Sequence, residues 1–151
     1  MIFLRKWMIV GLLLTAFLTA CAPSFAAKES ASEKLSAVMS AFDLAQGTVY
    51  STDADAAYFF TDAMAERMFF FGRDISALSH AESTAVYVSR RFSGEEIVVM
   101  KLCDPSCRDE VERLFLLRAQ KKKNAIVFHD GVYVYLICTD KNEDIRRFLI
   151  Q

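Results

Sequence analysis

Cys103 and Cys107 stand four apart in 101-KLCDPSCRDEVERLF-115, where a β-branched run stops and a helix-forming run begins. Three chemistries suit such a pair. In an oxidising compartment neighbouring cysteines tend to pair, and a strand end followed by a first helical turn brings two Cα atoms toward the roughly 4.4–6.8 Å that a disulfide requires. As free thiols they form a redox pair, because the amide end of a helix lowers a thiol pKa, which suits Cys107. As metal ligands they need further soft or imidazole donors, for which His129 and Cys138 are the available partners. The thioredoxin-like version also needs a proline facing the cysteines, and the prolines, Pro23 and Pro105, do not fit that role. A structural disulfide between Cys103 and Cys107 is therefore the preferred reading. The redox or metal pair is the alternative, and no metal site is assigned.

Other catalytic arrangements find little support. His80 and His129 are the histidines, and no G-x-S-x-G elbow is present. Five glycines form neither a P-loop nor a dinucleotide fingerprint. Glu95 and Glu96 read as solvated charges at a strand start, and Cys138 as a small buried hydrophobe. No enzymatic activity and no cofactor are expected.

The compartment that would oxidise the pair is signalled at the N-terminus. Arg5 and Lys6 precede the apolar run 7-WMIVGLLLTAFL-18, and small residues follow, the layout of a secretory leader. The run falls short of the ~20 residues of a spanning helix. Leu18-Thr19-Ala20-Cys21 fits a bacterial lipobox, which predicts cleavage before Cys21 and a diacylglyceryl thioether on it. Ser24-Phe25-Ala26 also fits an ordinary cleavage site, which would make a soluble secreted chain starting at Ala27. The lipobox is preferred. The organisation expected is a leader over residues 1–20, a tether over 21–32 and one domain over 33–151. Such a chain faces the exterior of the cell membrane, held to the bilayer through Cys21.

Without Arg5 and Lys6 the chain keeps 16 basic residues against 19 acidic ones. That balance disfavours a nucleic-acid backbone as partner. The run 121-KKK-123 reads as a solvated helix C-terminus, where cations complement the dipole.

The elements that must position these residues follow from periodicity. Leu35, Val38, Met39 and Phe42 predict a helix over 31–43. A second helix is predicted over 55–71, with Asp53 as N-cap and Gly72 as C-cap, and Thr48–Tyr50 as a short extended piece between the two. A helical turn over 75–81 ends near His80. Runs 84–92 and 96–103 predict a hairpin. Asp104-Pro105 starts a helix reaching about Lys122, with Val111, Leu114 and Phe115 facing a sheet and Arg118 snorkelling to water. Runs 125–129 and 132–138 about Asp130-Gly131 predict a second hairpin. Asp140 and Glu143 predict a capping box for a last helix, with Ile145, Phe148 and Leu149 inward. The sum is an α+β domain: two N-terminal helices, then β-β-α-β-β-α, with a four-stranded, mainly antiparallel sheet covered by helices on one face.

The pattern 96-EIVVMKLCD-104, an amphipathic helix and 131-GVYVYLICTD-140 resembles the domain of unknown function 4358 family of small, Clostridia-type bacterial lipoproteins. The segment 65-AERMFFFGRDISALSHA-81, with Phe70-Phe71-Gly72 at its turn, and 85-AVYVSRR-91 agree with it, so the resemblance spans roughly residues 40–150. Cys103 and Cys107 lie outside that pattern. The resemblance implies an exported lipoprotein and supplies no reaction and no substrate. The lipobox, the tether and the lack of a catalytic set lead instead to the expectation that it binds a partner protein or a cell-wall component. The expected function is thus a non-enzymatic envelope lipoprotein, with an extracytoplasmic thiol-redox or metal-handling protein as the alternative.

Overall fold

The computed structural model describes residues 29–70, 74–90 and 94–151. Among them the elements run α1 (Ala31–Ala41), β1 (Gly47–Ser51), α2 (Asp62–Phe69), a 3-10 turn (Ser76–His80), β2 (Ala81–Ser89), β3 (Glu96–Leu102), a 3-10 turn (Pro105–Cys107), α3 (Arg108–Ala119), β4 (Ile126–Asp130), β5 (Tyr133–Cys138) and α4 (Asn142–Leu149). The sheet has five strands in the order β1-β2-β3-β5-β4, and every neighbouring pair is antiparallel. The α+β class and the antiparallel sheet are as expected. Two parts of the expectation are corrected.

The sheet is five-stranded, not four-stranded, because Thr48–Tyr50 belong to a full strand lying between the first two helices. Strand β1 pairs with β2 in the register Val49↔Tyr87. Gly47 permits this: a Cβ there would stand 2.2 Å from Cε2 of Tyr87 and 2.7 Å from the carbonyl oxygen of Val88.

The helices cover both faces, not one. Side chains alternate along a strand, and here both alternating sets are apolar. Ala85, Tyr87, Ile97, Val99, Tyr135 and Ile137 pack under α1 and α4. Val86, Val98, Met100, Val134 and Leu136 pack under α2 and α3. Strands β3 and β5 are buried along their whole length, as a sheet covered on both sides demands.

Local boundaries shift for identifiable reasons. Helix α1 starts at Ala31, two residues inside the stretch read as tether. Ser30 and Glu33 form a capping box there, and the buried Ala31 N–H donates to Ser83 Oγ at 3.0 Å. Helix α2 starts at Asp62 with Thr61, not Asp53, as its cap. Residues 52–60 instead fold back on the sheet edge: Ser51 N–H donates to the Tyr58 carbonyl and Phe60 N–H to the Ser51 carbonyl, at 3.0 and 2.8 Å. The helix ends at Phe69 with Phe70 as its C-cap, and Gly72 lies outside the described residues. Asp140 and Glu143 do not box α4. Asn142 Oδ1 accepts the Thr139 N–H at 2.7 Å, and Glu143 pairs loosely with Arg146. The second hairpin turns through Gly131-Val132, with Gly131 at φ 57° and Asp130 paired to Tyr133.

Candidate functional site

The cysteine pair sits where the sequence placed it, at the junction of β3 and α3. Asp104 caps the 3-10 turn, accepting the Ser106 N–H at 2.8 Å, and the hydrogen bonds from Ser106 hold its carboxyl below the usual range. Cys103 is exposed, and its N–H donates to the His80 carbonyl at 2.9 Å. Cys107 is half-buried at the end of the turn. Neither is bridged, nor is Cys138. The notion of a metal site drawing on Cys138 as well is corrected by register. Cys138 pairs with Glu96 at one end of β3, while Cys103 follows Leu102 at the other. A strand of that length separates them by about 20 Å. His129 is exposed on the edge strand β4, and its Nδ1 lies 3.3 Å from Glu112 Oε1. Burial raises the Cys138 thiol pKa, and its Sγ donates to the Lys123 carbonyl. This suits the small buried group expected there.

The largest departure concerns charge. Glu96, read as a solvated strand-start residue, is 1% exposed. Arg118 reaches it with two donors, Nε to Oε1 at 3.0 Å and a terminal nitrogen to Oε2 at 2.7 Å, and Lys122 Nζ adds a contact at 2.8 Å. So Arg118 does not snorkel to water, and Lys122 is not merely a solvated helix-end cation. Burial pushes the Glu96 carboxyl upward, but the hydrogen bonds and charges of Arg118 and Lys122 outweigh that and hold it below its usual value. Close by, Tyr87 donates to the Ala45 carbonyl at 2.5 Å and to Glu95 at 3.3 Å. Burial, with Glu95 beside it, raises the Tyr87 pKa to about 12. This end of the sheet is a closed ionic lock tying β3 to the end of α3.

A different arrangement lies at the start of α1. A cleft of about 700 Å³ opens between α1 and the 51–57 segment, lined by Ser32, Glu33, Ser36, Ser51, Asp53 and Asp55, with Val49, Ala56 and Ala57 giving it apolar wall. Ser32 Oγ and Ser51 Oγ share a hydrogen bond at 2.6 Å, and Ser51 Oγ also accepts the Asp53 N–H at 3.0 Å. Those contacts fix the walls. Among the described residues Asp53 and Asp55 make no ion pair, and Ser36 presents its hydroxyl one turn beyond Ser32. The lining is rich in acceptors, so it suits a ligand that brings N–H or O–H donors. The sequence reading missed this cleft. The signal available was the serine stripe at 32, 36 and 40 on a helix whose other face is apolar. Its partner wall, Ser51 to Asp55, comes from the end of β1 and the loop that follows it, which the sequence expectation ran straight into the second helix at residue 55.

Cys21, the expected lipidation site, lies outside the described residues. Among the described residues no helix is long and apolar enough to cross a membrane. No family model, no curated protein and no solved structure matches this chain.

Proposed function

We propose that the chain is a non-enzymatic extracytoplasmic lipoprotein. It is held at the outer face of the cell membrane by a lipid on Cys21, and it binds a partner protein or envelope component through the cleft at the start of α1. The observation that carries the reading is the sequence Leu18-Thr19-Ala20-Cys21, which fills every lipobox position behind a basic and apolar leader, only eight residues before Glu29. A diacylglyceryl group anchors firmly because each buried CH₂ contributes ~0.8 kcal/mol. The domain side is supported by the disposition of charge. The buried Glu96 and Lys101 are both paired, to Arg118 and Lys122 and to Glu82 respectively. Asp53 and Asp55, which make no ion pair among the described residues, line an open cleft instead.

Intact mass of the protein purified from its native membranes tests the anchor. A lipid adduct on a chain starting at Cys21 is the expected result, and a chain starting at Ala27 would make this a soluble secreted protein. Fractionation of Cys21→Ala adds a second check: the folded domain should leave the membrane, and retention there would end the anchoring reading.

The alternative is a thiol-redox or metal-handling protein working through Cys103 and Cys107. It is favoured by two accessible, unbridged thiols at the N-terminal end of α3. Alkylation with and without reductant separates the cases. Two labels gained only after reduction indicate a Cys103–Cys107 disulfide in the native protein. Full labelling without reductant, with stoichiometric metal or a reduction potential in the regulatory range, moves the thiol reading to first place.

A further inference from the structure

Core packing accounts for only one of the three large rings at the end of the 52–60 segment. The two backbone hydrogen bonds between Ser51 and the 58–60 segment, with the parallel bridge Ser51↔Phe59, pin this segment along the outer edge of β1. Phe60 turns inward to the α2 and α3 side of the sheet. Tyr58 and Phe59 turn outward and are 52% and 56% exposed. Tyr58 is braced by Tyr50, ring centroids 5.9 Å apart. Two adjacent large rings held outward by a fixed backbone differ from the isolated apolar residues that any surface carries.

Their place in the molecule says what they meet. Ser51, to which they are pinned, touches Ser32 in the first turn of α1. The chain coming from Cys21 enters the domain at that same turn. Eight residue steps separate Cys21 from Glu29. At no more than ~3.6 Å per residue they hold that turn within about 30 Å of an anchored lipid.

We infer that Tyr58 and Phe59 form a second membrane contact, seated in the interfacial region of the bilayer to which Cys21 tethers the chain, so that the lipid anchor and the aromatic pair together fix the domain's orientation. Tyr58 suits that zone, where its apolar ring and its hydroxyl are both satisfied, and Phe59 adds an apolar ring that inserts beside it. The inference rests on the anchoring proposed above. The charges nearby constrain its chemistry. Glu33, Asp53 and Asp55 line the cleft beside the segment that carries the pair and disfavour anionic headgroups, so insertion of the rings, not attraction to lipid phosphate, drives the contact. It is therefore stronger on zwitterionic than on anionic vesicles, and salt narrows the difference.

The chain offers a clean reporter. Trp7 is its only tryptophan and lies in the leader, so a chain starting at Cys21 has none. The lipidated protein, carrying Phe59→Trp, is reconstituted in phosphatidylcholine vesicles, with Tyr58→Trp as a second reporter in the same tip. Phe148→Trp is the control, because Phe148 packs edge-on against Phe42 beyond the other end of α1. Flotation and intact mass establish that the protein is anchored. The expected result is a blue-shifted emission at positions 58 and 59, quenched by lipids brominated near the headgroup and shielded several-fold from aqueous iodide relative to position 148. If the anchored protein floats but tips and control are equally open to iodide, the membrane contact is overturned and the anchor stands. If the protein carries no lipid and does not float, both are overturned.

Discussion

Two acidic regions of this molecule behave in opposite ways. At one end of β3, Glu96 is closed off from water, and both its oxygens are met by Arg118 and Lys122. At the start of α1, Asp53 and Asp55 line an open cleft beside Ser36 and, among the described residues, are paired with no cation. A buried carboxylate is tolerated only when its partners replace the water it has lost, so the first region holds the fold together and has nothing left to offer a ligand. The second keeps its acceptors available. The contrast teaches that the buried charge at Glu96 is structural, and that the candidate binding surface consists of ordinary exposed and half-buried groups on α1 and the 51–57 segment.

Mutations sharpen that contrast. Glu96→Ala should have the largest effect, about 3 kcal/mol of stability lost, because it leaves two cations facing a buried gap; the urea midpoint measures it. Gly47→Ala, beside the same lock, should cost about 2 kcal/mol. Its Cβ meets the Tyr87 ring and the Val88 carbonyl, and the backbone cannot retreat without breaking the Gly47↔Ser89 register. Tyr135→Phe should move the other way, gaining about 1 kcal/mol by thermal melting. Tyr135 is fully buried, and its hydroxyl has no hydrogen-bond partner among the described residues. Asp53→Asn and Asp55→Asn should change stability least, by no more than about 0.5 kcal/mol, while weakening whatever donor-rich ligand the cleft holds. A large loss of stability from either would show that the cleft is structural after all.

Acid separates the regions too. The Glu96 carboxyl titrates below its ordinary value of 4.5 in the folded protein. Its contribution to stability is therefore full above about that pH and is lost as pH falls through the lower folded value. A pH series of urea midpoints should drop in that window for the wild type and more shallowly for Glu96→Ala. Equal slopes would mean that the ionic lock contributes nothing.

Much of the fold could be read from residue order. Helix α3, both hairpins and the inward set Val111, Leu114 and Phe115 all follow from periodicity, caps and turn residues, which act over a few positions, although Asp104-Pro105 opens a 3-10 turn and α3 itself begins at Arg108. The apolar run Ile97, Val98 and Val99 marks β3 as a central, well-covered strand, and the structure buries it along its whole length. What went unread depended on distant partners. Helix α2 was drawn too long because the 52–60 segment contains good helix formers. Only the sheet edge at Ser51, competing for the backbone of Tyr58 and Phe60, decides otherwise. Glu96 looked like any charge at a strand start until α3, folding back over β5, delivered Arg118 from 22 positions away.

The sequence by itself determined the positions of most helices and strands and the cysteine pair at the β3–α3 junction. Those features are local, set by hydrophobic pattern, capping and turn chemistry. The tertiary structure alone decided that the sheet gains a fifth strand and a second covered face, that Glu96 is locked rather than solvated, and that Ser32, Ser51 and Asp53 meet to form a cleft. Each depends on which surfaces exclude water when the elements close together, and burial of that kind is a property of the assembled layers, not of any one segment.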